Sequence, residues 1–308
     1  KLSFVEGMEI RDFHLKLEAG SLVLSASEAA AGTPLRYTLN GDVLKVWWTQ
    51  NQPSTYARSN APNTLDHYLA QHGMELDLPF LSQYRLMDKE DLLCRVGLGK
   101  GPGGGLALTF NGEKVTLEEL STRVEMEKER VFMLDRNRFT VIFLADRGIP
   151  MSDMDKIRQE LRKRGSLYIG EGGYPQGDIH LSPLLYHAVA LPRLLPPLNA
   201  KVLDKEEIEK AGGKVFTIDL AARNTTPADV DRKLQDFIKT NPGEYVVSLV
   251  YDGAIPYGQY VETVDMVWKV VYRFRKELAL KKYSASYDKL GDDLQREIRK
   301  TYPMALSE

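Results

Sequence analysis

From Leu106 onward the apolar residues alternate between strand-like and helix-like spacing, and the chain runs through that alternation twice. Leu106–Phe110 predicts a strand and Asn111-Gly112 a turn. Thr116 with Glu119 three residues on has the spacing of a capping box, in which the two residues satisfy each other's free amides at a helix start. Leu117, Leu120 and Val124 then fall on one helical face. Phe139–Ala145 is apolar without interruption, the pattern of a strand covered on both faces. Asp146-Arg147-Gly148-Ile149-Pro150 turns the chain. Met154, Ile157 and Leu161 predict a second helix stopping at Gly165, and Ser166–Gly170 a last strand.

The second pass predicts a strand over Val215–Ala221 and a helix capped by Thr226, with Pro227 at its first position and Val230, Leu234, Phe237 and Ile238 facing inward. Tyr245–Tyr251 repeats the buried strand, and Asp252-Gly253-Ala254-Ile255-Pro256 repeats the turn. Val261, Val264, Trp268 and Val271 predict a longer helix. Thr116 lies thirty residues before Asp146 and Thr226 twenty-six before Asp252, so the passes differ by one short insertion and form an internal repeat. Leu290, Leu294 and Ile298 predict a closing amphipathic helix, roughly Tyr283–Lys300, folded back on a domain surface.

Upstream, Ser21–Ser25, Leu35–Leu39 and Val43–Trp48 predict short strands, with a turn at Asn40-Gly41-Asp42. Residues 49–64 predict an exposed loop, Thr64–Gln71 a helix, and Gly97–Gly105 a linker. The fold class expected is α/β (α+β): two tandem β-α-β-α-β modules after a β-rich N-terminal region. The divisions expected are 1–100 for that region, 101–200 for the first module with a following loop, and 201–308 for the second module with its helical tail.

Charge and cysteine content narrow the function classes. Lys and Arg number 41 against 43 Asp and Glu, and no basic cluster stands out, so nucleic acid is not an expected partner. No stretch approaches the run of about 20 apolar residues that spans a bilayer. The chain opens at Lys1 without a methionine, so a signal or membrane anchor is expected upstream. The one cysteine, Cys94, excludes an internal disulfide, and its apolar neighbours Leu92, Leu93 and Val96 predict a buried small hydrophobe.

The phrases VIFLADRGIPMSDMDKIRQELRKRG (141–165) and VVSLVYDGAIPYGQYVETVDMVWKVV (246–271) each resemble the periplasmic domain of the ExbD/TolR energy-coupling proteins. The ending YDKLGDDLQREIRKTYPMALSE (287–308) is similar to the C-terminal extension of ExbD-like proteins from Bacteroidetes. Together these cover roughly 106–308. The resemblance implies a periplasmic, membrane-anchored, non-catalytic module that binds or couples to protein partners of the cell envelope, in part by strand addition at open sheet edges. Ordinary members carry one such domain and dimerise; two copies here imply an intramolecular pseudo-dimer. Those proteins also carry a proton-bearing Asp in a transmembrane helix, and this sequence has no such helix.

Candidate chemistry is sparse. Gly99-Lys100-Gly101-Pro102-Gly103-Gly104 satisfies G-x-G-x-x-G, but a strand pattern follows where a dinucleotide loop needs a helix, so no cofactor is expected. His14, His67, His72, His180 and His187 have no ligand spacing, so no metal is expected. Asp146 and Asp252 end buried strands just before helices, where a carboxylate either binds a cation or a partner's backbone, or caps the helix. Ser152 reads as a cap, Glu171 as an isolated acid on a loop, and Asp153/Asp155 and Asp292/Asp293 as solvated helix faces. No nucleophile has an activating neighbour, so the expectation is a non-enzyme.

Tyr251, Tyr257, Tyr260, Tyr272 and Trp268 gather around the second turn and its helix. They form either an exposed protein interface or the seam between the two repeats. The partner-binding candidates are therefore Tyr251, Asp252, Tyr257, Tyr260 and Trp268, beside the repeat-equivalent turn residues Asp146, Pro150, Asp252 and Pro256. Two rival readings stand: the extracytoplasmic sensor of a BlaR-type membrane metallopeptidase receptor, and a cell-wall enzyme, which a deep pocket with two convergent carboxylates would favour.

Overall fold

The computed structural model describes the backbone of strands within residues 2–57, and residues 76–307 except 88, 102–104, 177–188, 201–203 and 223–226. The expected helix at 64–71, the Thr226 cap and four of the five histidines lie outside the described residues, and nothing is described of the His14 side chain. The first six strands are β1 (Leu2–Glu6), β2 (Glu9–Glu18), β3 (Ser21–Ser25), β4 (Thr33–Asn40), β5 (Val43–Trp47) and β6 (Pro53–Ala57). They pair antiparallel in chain order. The three short strands expected here are β3, β4 and β5.

A seven-stranded mixed sheet follows. Its strands are β8 (Arg85–Leu86), β9 (Leu93–Lys100), β10 (Leu106–Phe110), β11 (Glu113–Lys114), β12 (Thr140–Ala145), β13 (Leu167–Gly172) and β15 (Val189–Leu195), in the order β11-β10-β9-β12-β13-β15-β8. A separate parallel pair joins β7 (Phe80–Leu81) to β14 (Tyr174–Pro175). Two helices, α1 (Leu117–Arg130) and α2 (Met151–Arg162), connect the parallel centre β9-β12-β13.

This corrects the expected linker. Gly97 and Gly99 belong to β9, a central strand whose Cys94, Val96 and Leu98 are buried against the helices. β10 is the return arm of a hairpin on β9 rather than the module's first parallel strand. The residues before position 101 thus supply part of this sheet. Cys94 is buried as expected, and burial pushes its thiol far above the ordinary range.

The second half is a parallel three-stranded sheet, β16 (Lys214–Asp219), β17 (Tyr245–Val250) and β18 (Leu306–Ser307). A short helix, α3 (Lys205–Lys210), leads in and is capped by Asp204 and Glu207. The sheet's helices are α4 (Pro227–Thr240) and α5 (Tyr257–Tyr283). Both halves therefore contain a parallel β-α-β-α-β succession: β9-α1-β12-α2-β13 and β16-α4-β17-α5-β18. Their third strands differ. β13 follows α2 directly, whereas α5 runs on for 27 residues, about 40 Å at 1.5 Å per residue, and ends at Ser284 in the left-handed region. The chain then returns through α6 (Asp292–Thr301) before reaching β18.

The closing helix is thus shorter than the expected 283–300, because Tyr283 still belongs to α5. Ile298 buries itself with Ala279 and Tyr287, and Arg275 donates from Nε to the Tyr302 carbonyl at 2.8 Å. The Tyr245 hydroxyl donates to the Pro303 carbonyl at 2.6 Å, which fixes the tail beside β17.

Thr116 and Glu119 form the expected capping box. Val141, Phe143 and Ala145 face the helices while Ile142 and Leu144 face a second cluster with Leu76, Leu78 and Ala190, so β12 is covered on both sides. The main core does not divide between the halves. Leu120, Met154 and Phe143 belong to the same continuous cluster as Leu234, Val247 and Val264.

Candidate functional site

The two Asp-x-x-Ile-Pro turns meet each other. Pro150 and Pro256 form an antiparallel bridge, and four backbone hydrogen bonds surround it. Met151 N–H donates to the Ile255 carbonyl at 2.8 Å, and Tyr257 N–H donates to the Ile149 carbonyl at 2.7 Å. Ser152 N–H donates to the Gly253 carbonyl at 2.9 Å, and Gly258 N–H to the Arg147 carbonyl at 2.8 Å. Every residue in one bond has its counterpart 106 positions along in the other, so the contact is self-complementary, as between two copies related by a local two-fold axis.

The chemistry of helix ends explains why the turns fit. The first amides of a helix have no acceptor within it. Pro150 and Pro256 stand at the N-caps of α2 and α5, and neither has a side chain that can accept. The carbonyls of the opposite turn satisfy the next two amides of each helix. Each bond contributes on the order of 1 kcal/mol net, and leaving such an amide buried and unpaired costs more.

Asp146 and Asp252 have equivalent jobs, though not the expected helix capping. Asp146 Oδ1 accepts from Gly148 N–H at 2.8 Å, and Asp252 Oδ1 from Ala254 N–H at 2.9 Å. Both carboxylates shape the turn that presents the carbonyls. Ser152 is likewise no cap, since it lies one residue inside α2.

Side chains extend the seam. Tyr257 and Tyr260 are fully buried there, which decides between the two open readings of the aromatic patch for this pair: they are seam, not surface. The Tyr257 hydroxyl donates to Glu171 Oε2 at 2.7 Å, and Arg158 Nη2 donates to Glu171 Oε1 at 2.9 Å. Arg193 Nε donates to the same Oε1 at 3.2 Å. The Arg158 and Arg193 guanidiniums lie 4.7 and 5.8 Å from the Tyr260 ring centre. Burial, reinforced by the Glu171 charge, raises the Tyr257 hydroxyl well above the ordinary tyrosine value. The Tyr251 hydroxyl donates to Asp155 Oδ1 at 3.2 Å, and Arg147 pairs with Glu262 at 3.0 Å, both across the halves.

Glu171, expected on a loop, is thus a completely buried residue of β13, and Asp155, expected on a solvated face, belongs to the seam. Trp268 lies apart from the seam chemistry. It lines an open groove of about 640 Å³ with Tyr84, Arg85, Tyr272, Tyr287 and Arg299.

A second hollow of about 420 Å³ includes the carboxylates Asp219, Asp231, Glu262 and Asp265. All four have structural partners: Asp219 accepts from Ala221 N–H, Asp231 lies 3.9 Å from the Arg273 guanidinium, Glu262 pairs with Arg147, and Asp265 takes both amides of Ser82 and Gln83, at 3.0 and 2.7 Å. Burial raises the Asp265 carboxyl, against the pull of those hydrogen bonds. Among the described residues no group of three His, Cys, Asp or Glu side chains converges as a metal site, and no helix is long and apolar enough to cross a membrane.

The fold and seam define a mixed α/β protein whose two halves are joined turn to turn. No family model, curated protein or solved structure matches the chain.

Proposed function

We propose that the chain is a non-catalytic binding, energy-coupling or sensing module related to the ExbD/TolR periplasmic domain, working at the periplasmic face of the inner membrane. The reciprocal joining of the turns Asp146–Pro150 and Asp252–Pro256 carries this reading. A domain that works in pairs needs a self-complementary contact. A chain with two parallel β-α-β-α-β units joined that way meets the need within one polypeptide. The polar groups of the seam are engaged with each other, which suits a scaffold better than a reaction centre.

Binding falls to an open sheet edge. Among the described residues β16 pairs on one side only, with β17, so its outer side can accept an extended segment of a partner by strand addition. The test is to fractionate cells making the full-length protein and to cross-link from a photoreactive residue at the exposed Thr217. The reading expects inner-membrane association and a cross-linked envelope protein. A freely soluble cytosolic product without cross-links refutes it.

A further inference from the structure

The connection between α1 and β12 breaks the correspondence between the halves. It takes nine residues, 131–139, where α4 reaches β17 in four, 241–244. The fold needs no more than the short version. The longer one carries three consecutive large apolar side chains, Phe132, Met133 and Leu134, which are 70%, 72% and 71% exposed. Such a run on a soluble surface marks a contact with something apolar.

The knuckle is held in shape. Arg136 donates from Nε to the Val131 carbonyl at 3.1 Å and from Nη2 to the Glu129 carbonyl at 2.7 Å, closing the backbone over itself. Residues 127–138 hold four cations, Lys128, Arg130, Arg136 and Arg138, against three acids, Glu127, Glu129 and Asp135, in a chain whose net charge is −2. Arg130 and Arg138 make exposed pairs with Glu127 and Asp135, contacts weak enough to exchange for another anion. Tyr168 and Leu194, both exposed, lie at the same end of the sheet, on the strands beside Thr140 at the start of β12.

We infer that this knuckle docks on an anionic lipid surface, Phe132, Met133 and Leu134 entering the headgroup boundary while the arginines meet lipid phosphates. A projecting apolar tip inside a cationic rim matches a bilayer interface, apolar below and anionic above. The tip lies at the opposite end of β12 from the seam, about 20 Å away at 3.3 Å per residue, so docking leaves both turns free. The inference stands independently of the coupling reading and of any upstream anchor.

The test is co-sedimentation of the 308-residue chain with vesicles of mixed phosphatidylcholine and phosphatidylglycerol, and with phosphatidylcholine alone. Binding to the anionic vesicles that weakens with salt is expected. The combined Phe132→Ser, Met133→Ser, Leu134→Ser variant should lose it by about tenfold or more with an unchanged unfolding temperature. Arg130→Gln with Arg138→Gln should reduce the preference for the anionic vesicles. Absence of vesicle binding by the unaltered chain overturns the inference, as does equal binding by the serine variant. So does a solution dimer that the serine variant abolishes while vesicles are ignored, since the knuckle would then seat on a second copy.

Discussion

Gly253 and Gly258 let the two backbones of the seam approach. A Cβ on Gly258 would lie 2.7 Å from the Arg147 Cβ, and one on Gly253 would lie 2.9 Å from the Ser152 Cβ. Each of the two equivalent contacts thus pairs one glycine with one side chain. Gly258→Ala should cost about 1–3 kcal/mol in urea unfolding, as overpacking does, whereas Gly105→Ala, which meets nothing within 4 Å, should be close to neutral. Glu171 is the other decisive residue. Its removal leaves Arg158 and Arg193 facing each other in the interior, so Glu171→Ala should cost about 3–5 kcal/mol in the same measurement. Tyr257 gives a pH signature. The unfolded chain releases this proton near the ordinary value of 10.0, while the folded protein holds it higher. Above that pH the unfolded state binds fewer protons, so stability falls as pH rises, and Tyr257→Phe should flatten the fall in a thermal melt series. The Asp-x-x-Ile-Pro turns were legible as a repeated phrase, but Glu171 was not. Its partners lie 13, 22 and 86 residues away, and the neighbouring glycines pointed to a loop. The signal was the two-residue alternation Leu167, Ile169, Glu171, which puts the acid on the inward face of a strand.

At the scale of elements, those whose apolar spacing is uninterrupted were legible. α1 and β12 formed close to where the pattern put them, because capping and burial agree there. β9 was missed because Gly97, Gly99 and Gly101 outweighed the alternation Cys94, Val96, Leu98. Glycine weakens a strand, yet it is tolerated where neighbours on both sides supply the pairing, as β10 and β12 do. The junction of 82–83 with α5 was also invisible, because Asp265 meets Ser82 and Gln83 more than 180 residues away in sequence. Asp265→Ala should release that segment. Amide exchange at Ser82 and Gln83 should accelerate by one or more orders of magnitude, for a loss of about 1–3 kcal/mol of local protection, while β17 stays slow.

For the whole molecule, the two halves share a single continuous core beneath a common seam. Residues of the first half satisfy the helix start of the second, and the reverse, so neither half is complete without the other. Sequence alone could suggest that the two copies of the phrase are related; that their turns bond reciprocally is a matter of three-dimensional placement. The most direct measurement is native-state hydrogen exchange at the amides of Met151, Ser152, Tyr257 and Gly258. The seam account predicts that all four open together, with the same free energy as the β12 and β17 amides. Rapid exchange at these four while both strands remain protected would mean that the halves part freely, and would contradict it.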